Sequence, residues 1–71
     1  ADRPRQFILD VSDVPMIDSS GARSLLLLQR KLARRGAELV IVGARPGVRR
    51  SLAVQGLAEP AARFAGSLPE V

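Results

Sequence analysis

An α/β fold is predicted for this chain by three observations. Two short apolar runs, FILDV over 7–11 and AELVIV over 37–42, have the length and β-branched content of strands. The stretch between them places Ala22, Leu25, Leu28 or Gln29, and Leu32 at helical spacing, with Arg23, Arg30, Lys31 and Arg34 largely elsewhere. Helix-capping residues stand at both ends of that stretch. Strand, helix and strand in that order form one βαβ unit, which closes as a parallel, right-handed crossover.

The elements follow in order. Ala1 to Gln6 is charged and carries Pro4, as expected of a loop delivering the chain into a strand. FILDV is almost continuously apolar, so this first strand is expected to be buried on both faces, as in a parallel sheet covered by helices. Ser12-Asp13-Val14-Pro15 is turn chemistry, and Met16-Ile17 adds a brief apolar step. A helix is predicted from Ser19 to Arg35. Asp18 or Ser19 can accept hydrogen bonds from the open N–H groups of its first turn; Arg34 and Arg35 oppose the dipole at its end, and Gly36 supplies a left-handed stop. Ala37 to Val42 is the next strand.

Gly43 to Gly47 is a turn, and Pro46 suits the first turn of a second helix reaching about Gln55, with Val48, Leu52 and Val54 or Gln55 along it. Gly56 is its expected stop, with Leu57 folding back over the cap. Arg63-Phe64-Ala65 reads as a short strand. Ser67 to Glu70 has capping-box spacing, which predicts a third helix starting where the sequence ends.

Composition narrows the function. Seventy-one residues hold at most one small domain. With no His and no Cys there is no zinc-finger ligand set, no disulfide framework, and no Ser-His or Cys-His catalytic pair, so neither a metal nor a cofactor is expected. Hydrophobic residues make up 46% of the chain, too many for disorder, yet no run approaches the ~20 apolar residues of a membrane span. Gly43 and Gly47 satisfy neither the P-loop nor the dinucleotide spacing and are read as turn glycines.

Eleven basic residues against seven acidic give a net charge of +4. The cations gather as Arg30, Lys31, Arg34 and Arg35 at the end of the first helix, and Arg45, Arg49 and Arg50 are expected to continue that surface. Such a surface is either a solvated helix end or a contact for an anionic membrane or acidic partner. Nucleic acid is not expected, because stacking on bases wants exposed aromatics and only Phe7 and Phe64 are present. Leu25 to Leu28 span most of the helix circumference and cannot all face one sheet, so further structure covers them or some meet a partner.

Asp18-Ser19-Ser20-Gly21 is the most informative stretch. Locally it is a helix N-cap. A serine in the first turn after a strand is also where a phosphate is held by free N–H groups and the helix dipole, with Asp18 repelling the added charge.

The order of these pieces resembles the STAS domain family. The resemblance rests on FILDVSDVPMIDSSG over 7–21, a leucine-rich helix, Arg35-Gly36, ELVIV over 38–42, PGVRRSL over 46–52 and Gly56-Leu57. It covers about residues 6 to 71. The family includes bacterial anti-sigma factor antagonists and the cytoplasmic C-terminal domains of SulP-type anion transporters. The resemblance implies a central mixed β-sheet with helices packed mainly on one side. The family's opening strands and first helix have no counterpart here, so residues 1–71 resemble the C-terminal two-thirds of one STAS domain.

It implies a non-enzymatic regulatory domain whose partner is a protein, either a transporter's membrane domain or an anti-sigma kinase, working on the cytoplasmic side, with the anionic inner membrane face as a further candidate contact. By the same resemblance Ser19 is the phosphorylation candidate, and Asp18, Ser19, Ser20, Gly21, Ala22 and Arg23 form the partner-binding surface. Antagonists commonly continue the motif as Gly-Leu-Gly, whereas this chain has Gly21-Ala22-Arg23. That difference, Val14-Pro15 and the basic balance resemble the transporter-linked branch.

Overall fold

In the computed structural model residues 5–66 are described. Strand β1 spans Arg5–Asp10, helix α1 Ser19–Arg34, strand β2 Ala37–Val42, helix α2 Pro46–Val54 and strand β3 Arg63–Ala65. The five elements predicted before Gly66 are present, with ends matching or shifted by one or two residues. The capping box at Ser67 to Glu70 lies outside the described residues.

The strands lie in the order β1-β2-β3 and both pairings are parallel. Ile8 stands beside Val40 and Leu9 beside Ile41, while Ile41 also faces Phe64 on β3. Two successive crossovers of one hand, each moving one strand along the sheet, put both helices on the same side. The antiparallel partner implied by a mixed sheet is not seen among the described residues.

The core sits between the helices and that face of the sheet. Val11, Ala22, Leu39, Ile41, Val48, Leu52, Leu57 and Ala62 form one buried cluster. Leu9, Val14, Ile17, Leu25, Leu26, Leu28 and Phe64 pack against it. Of the four leucines in a row, Leu27 is the one turned out, 48% exposed. Three of them thus reach the core without further cover.

β1 departs from expectation. Phe7 and Ile8 are 44% and 41% exposed, whereas Leu39 to Val42 of β2 are all buried. The reason is position: β2 has a strand on each side, and β1 is the edge of the described sheet. An apolar run marks a strand, but neighbours decide whether both its faces are covered.

The helix ends behave as their residues dictate. Gly36 has φ 72° and its N–H donates to the Ala33 carbonyl at 3.1 Å. At the end of α2, Gly56 has φ 92°, its N–H donates to Ala53 at 2.9 Å, and the Leu57 N–H donates to Leu52 at 2.9 Å. Those two bonds are the Schellman pair, and burial of both Leu52 and Leu57 completes it with the apolar contact across the cap.

Two loops meet where β1 and β2 end. The Val11 N–H donates to the Val42 carbonyl at 2.9 Å, extending the ladder one step beyond β1. Gly43 follows with φ 72°, and a Cβ there would stand 2.7 Å from the Ser12 Cβ and 3.1 Å from its Cα. Glycine is required twice, by conformation and by space. Ser12 is fixed in turn by Asp10, whose Oδ1 accepts from the Ser12 hydroxyl at 2.6 Å and from its N–H at 2.9 Å. This frame sets the direction in which the chain leaves β1 toward α1.

Candidate functional site

The loop after β1 is tied down before it reaches the helix. The Val14 N–H donates to the Val11 carbonyl at 3.0 Å, and the Val14 and Ile17 side chains pack on the core. Asp18 then takes extended backbone angles, φ −86° and ψ 176°, as the N-cap of α1. Its Oδ1 accepts from the Gly21 N–H at 2.7 Å, and its carbonyl accepts from the Ala22 N–H at 2.9 Å. Gly21 lies close beneath this cap, since a Cβ on it would stand 3.2 Å from that Oδ1.

Ser19 and Ser20 therefore occupy the first two helical positions, and both are exposed. The Ser24 hydroxyl donates to the Ser20 carbonyl at 3.0 Å. No acidic residue lies in the first turn of α1. A negative group on Ser19 would meet open N–H groups and the positive end of the helix dipole, with the Asp18 carboxylate beside it as the one local repulsion.

Of the six residues named for this surface, Asp18, Ser19, Ser20 and Arg23 are exposed and Gly21 is partly so. Ala22 is not on it. Its side chain is 0% exposed and belongs to the core, because the position three residues after the first helical one already faces the sheet. What Ala22 does for the surface is to anchor the helix start.

The structure adds residues that the sequence reading left out. A groove of about 290 Å³ runs between the helix start and α2, lined by Ile17, Asp18, Ser19, Ser51, Val54 and Gln55. Val54 is 79% exposed and Gln55 half-buried, so of the two alternatives for the apolar side of α2 it is Gln55 that follows Val48 and Leu52. Val48, Leu52 and Gln55 share one side of that helix, and Val54 sits well around from it at ~100° per residue. Met16, the residue before Ile17 in the chain, is 76% exposed. Helical-wheel arithmetic contained the signal for Val54; nothing in the sequence pattern singled out Met16.

The two basic groups do not merge. α1 runs from the carboxyl ends of the strands to their amino ends, so Lys31, Arg34 and Arg35 lie before β2, whereas Arg45 follows it. Arg49 is turned to β3, its guanidinium carbon 4.9 Å from the centre of the Phe64 ring. Among the described residues no three His, Cys, Asp or Glu side chains gather as metal ligands. No described helix is long and apolar enough to cross a membrane.

An exposed D-S-S-G helix start after a parallel strand, with a right-handed α/β frame behind it, is the arrangement to compare with known families. The family model described as STAS domain matches residues 1–67. The chain belongs to the STAS domain family. Comparison with curated proteins and with solved structures gave no match. STAS domains are in general non-enzymatic binding domains that mediate protein–protein interactions, so this one is a regulatory interaction domain. In this STAS domain the motif is presented as a capped helix start beside a shallow groove.

Proposed function

We propose that this STAS domain is the cytoplasmic regulatory domain of a SulP-type anion transporter, docking a protein partner, the transporter's own membrane domain, through the start of α1. The observation that carries the docking surface is the groove lined by Ile17, Asp18, Ser19, Ser51, Val54 and Gln55, which opens beside the capped start of α1. It combines apolar side chains with hydroxyls, an amide and the Asp18 carboxylate that caps α1. For the transporter branch, support comes from Arg23, which puts an exposed cation one turn into α1 where antagonists commonly have glycine. In this reading residues 1–71 are the C-terminal two-thirds of the domain, and the exposed apolar edge of β1 is where the family's other strands lie. The place of work is the inner face of the membrane.

The test is the natural full-length product. An antibody against this domain should find it in the membrane fraction, resistant to carbonate extraction. A soluble product of single-domain size would overturn the transporter assignment.

One observation favours a second reading, an anti-sigma factor antagonist switched at Ser19. Its hydroxyl is exposed at the first helical position, open to a kinase. Incubation of the full-length protein with an anti-sigma kinase and ATP then yields phosphoserine at position 19, and Ser19→Asp loses partner binding. An unmodified Ser19 and unaltered binding would refute the switch.

A further inference from the structure

α1 carries Arg23, Arg30, Lys31 and Arg34 and no acidic residue. The remaining 55 residues hold seven basic and seven acidic side chains, so the whole net charge of +4 resides on this helix. Arg23, Leu27, Arg30 and Arg34 follow one another at spacings of four, three and four, which places them in one row along the helix. All four are exposed, as is Lys31 beside them. The ion pair found among the described residues, Arg63 with Glu38 at 3.9 Å, lies elsewhere. Neutralising one end of a helix dipole calls for cations in the last turn only. It does not account for Arg23, one turn in from the helix start, nor for a leucine 48% exposed in the middle of the row.

We propose that this row is a docking surface for an anionic lipid bilayer. The row is convex, on the outer side of α1, and the groove by Ser19 is lined by other residues. Peptides are recognised in grooves or along sheet edges. A convex row of separated cations around one apolar side chain fits a broad, deformable surface, where arginines meet phosphates and the leucine enters the headgroup boundary. The inference does not depend on the transporter reading, since a soluble protein can dock to a bilayer and a tethered domain can stand clear of one.

The test uses the full-length protein with an environment-sensitive dye on Ser24→Cys, beside the row, and vesicles of phosphatidylcholine alone or mixed equally with phosphatidylserine. The dye should shift to the blue with the anionic vesicles only, and the shift should fade as salt is raised. Each arginine changed to glutamine should weaken the response about fivefold, so Arg23→Gln/Arg30→Gln/Arg34→Gln lowers it on the order of a hundredfold. The corresponding triple lysine variant keeps the charge and should keep binding, which separates loss of charge from loss of fold. Equal response to neutral vesicles, or an undiminished triple glutamine variant, overturns the proposal. So does a response to polyglutamate with none to anionic vesicles, which would assign the row to an acidic protein.

Discussion

At the scale of single residues, Asp18 has two separable duties: it caps α1 and it borders Ser19. Asp18→Ala removes the acceptor of the 2.7 Å bond from Gly21 and should cost about 1 kcal/mol in urea unfolding of the complete domain, while Asp18→Asn should cost a few tenths. Ser19→Asp has the opposite sign. A carboxylate at the first helical position, in a turn with no other acid, gains about 0.3–1 kcal/mol from the dipole, less its repulsion by Asp18. A Ser19→Asp protein that loses its partner should therefore still melt no lower than the parent, and a clear fall in melting temperature would show that the effect is on folding. Gly43 and Gly56 make a second comparison. Both have positive φ, but a Cβ at Gly56 meets open space and one at Gly43 meets Ser12 at 2.7 Å. Alanine at Gly56 should cost about 1–2 kcal/mol for conformation alone. At Gly43 overpacking against backbone adds about 1–3 kcal/mol more, to be read from the two denaturation midpoints. Asp10 supplies a pH test. The Ser12 hydroxyl, and then its N–H, hold the Asp10 carboxyl below its ordinary value of 3.8. A depressed folded pKa gives stability that is present above the unfolded value and lost as pH falls through the folded one. Ser12→Ala should thus flatten the acid limb of the stability profile below pH 3.8, and an unchanged limb would show that the turn contributes nothing to it.

At the scale of elements, what was legible in the sequence was whatever local chemistry decides. α1 could be read at both ends because Asp18 and Gly36 act within their own turns, and the cap of α2 because Gly56 and Leu57 act on the residues just before them. The half-exposed state of β1 could not be read, since Phe7 and Ile8 owe it to the absence of a described neighbour beyond them, a fact about partners in space. The basic groups were joined in expectation for a similar reason. Sequence distance from Arg35 to Arg45 is short, but β2 lies between them and carries the chain the length of the sheet. Of the site, the D-S-S-G edge was legible and the α2 wall of the groove was not, because Ser51, Val54 and Gln55 come to it only through helix packing. The cap of α2 offers the element-scale prediction. Leu57 is both the apolar partner across the Schellman motif and a member of the core at 0% exposure, so Leu57→Ala should cost about 2–5 kcal/mol. The same change at Val54, on the other side of the helix at 79% exposure, should stay within about 0.5 kcal/mol, and equal losses at the two would contradict this packing.

At the scale of the whole molecule, α1 carries two surfaces on one rod: the capped start with its groove, and the basic row that begins at Arg23 and runs to Arg34. Whether they act together is a question of distance and screening. Sixteen residues make a helix of ~24 Å, so Ser19 stands more than ~15 Å from Arg30 and Arg34, and only ~6 Å along the axis from Arg23. At physiological ionic strength the Debye length is about 8 Å. A negative group on Ser19 is then felt by one cation of the row and screened from the others. Ser19→Asp should consequently reduce binding to anionic vesicles no more than loss of that one cation does, about fivefold or less. The reduction should grow as salt is lowered and the more distant arginines come within range. The dye response of Ser24→Cys, followed through a salt titration with and without Ser19→Asp, measures this directly. A Ser19→Asp protein that no longer meets anionic vesicles at physiological salt would mean that the two surfaces are one, coupled through a movement of α1 rather than through its charge.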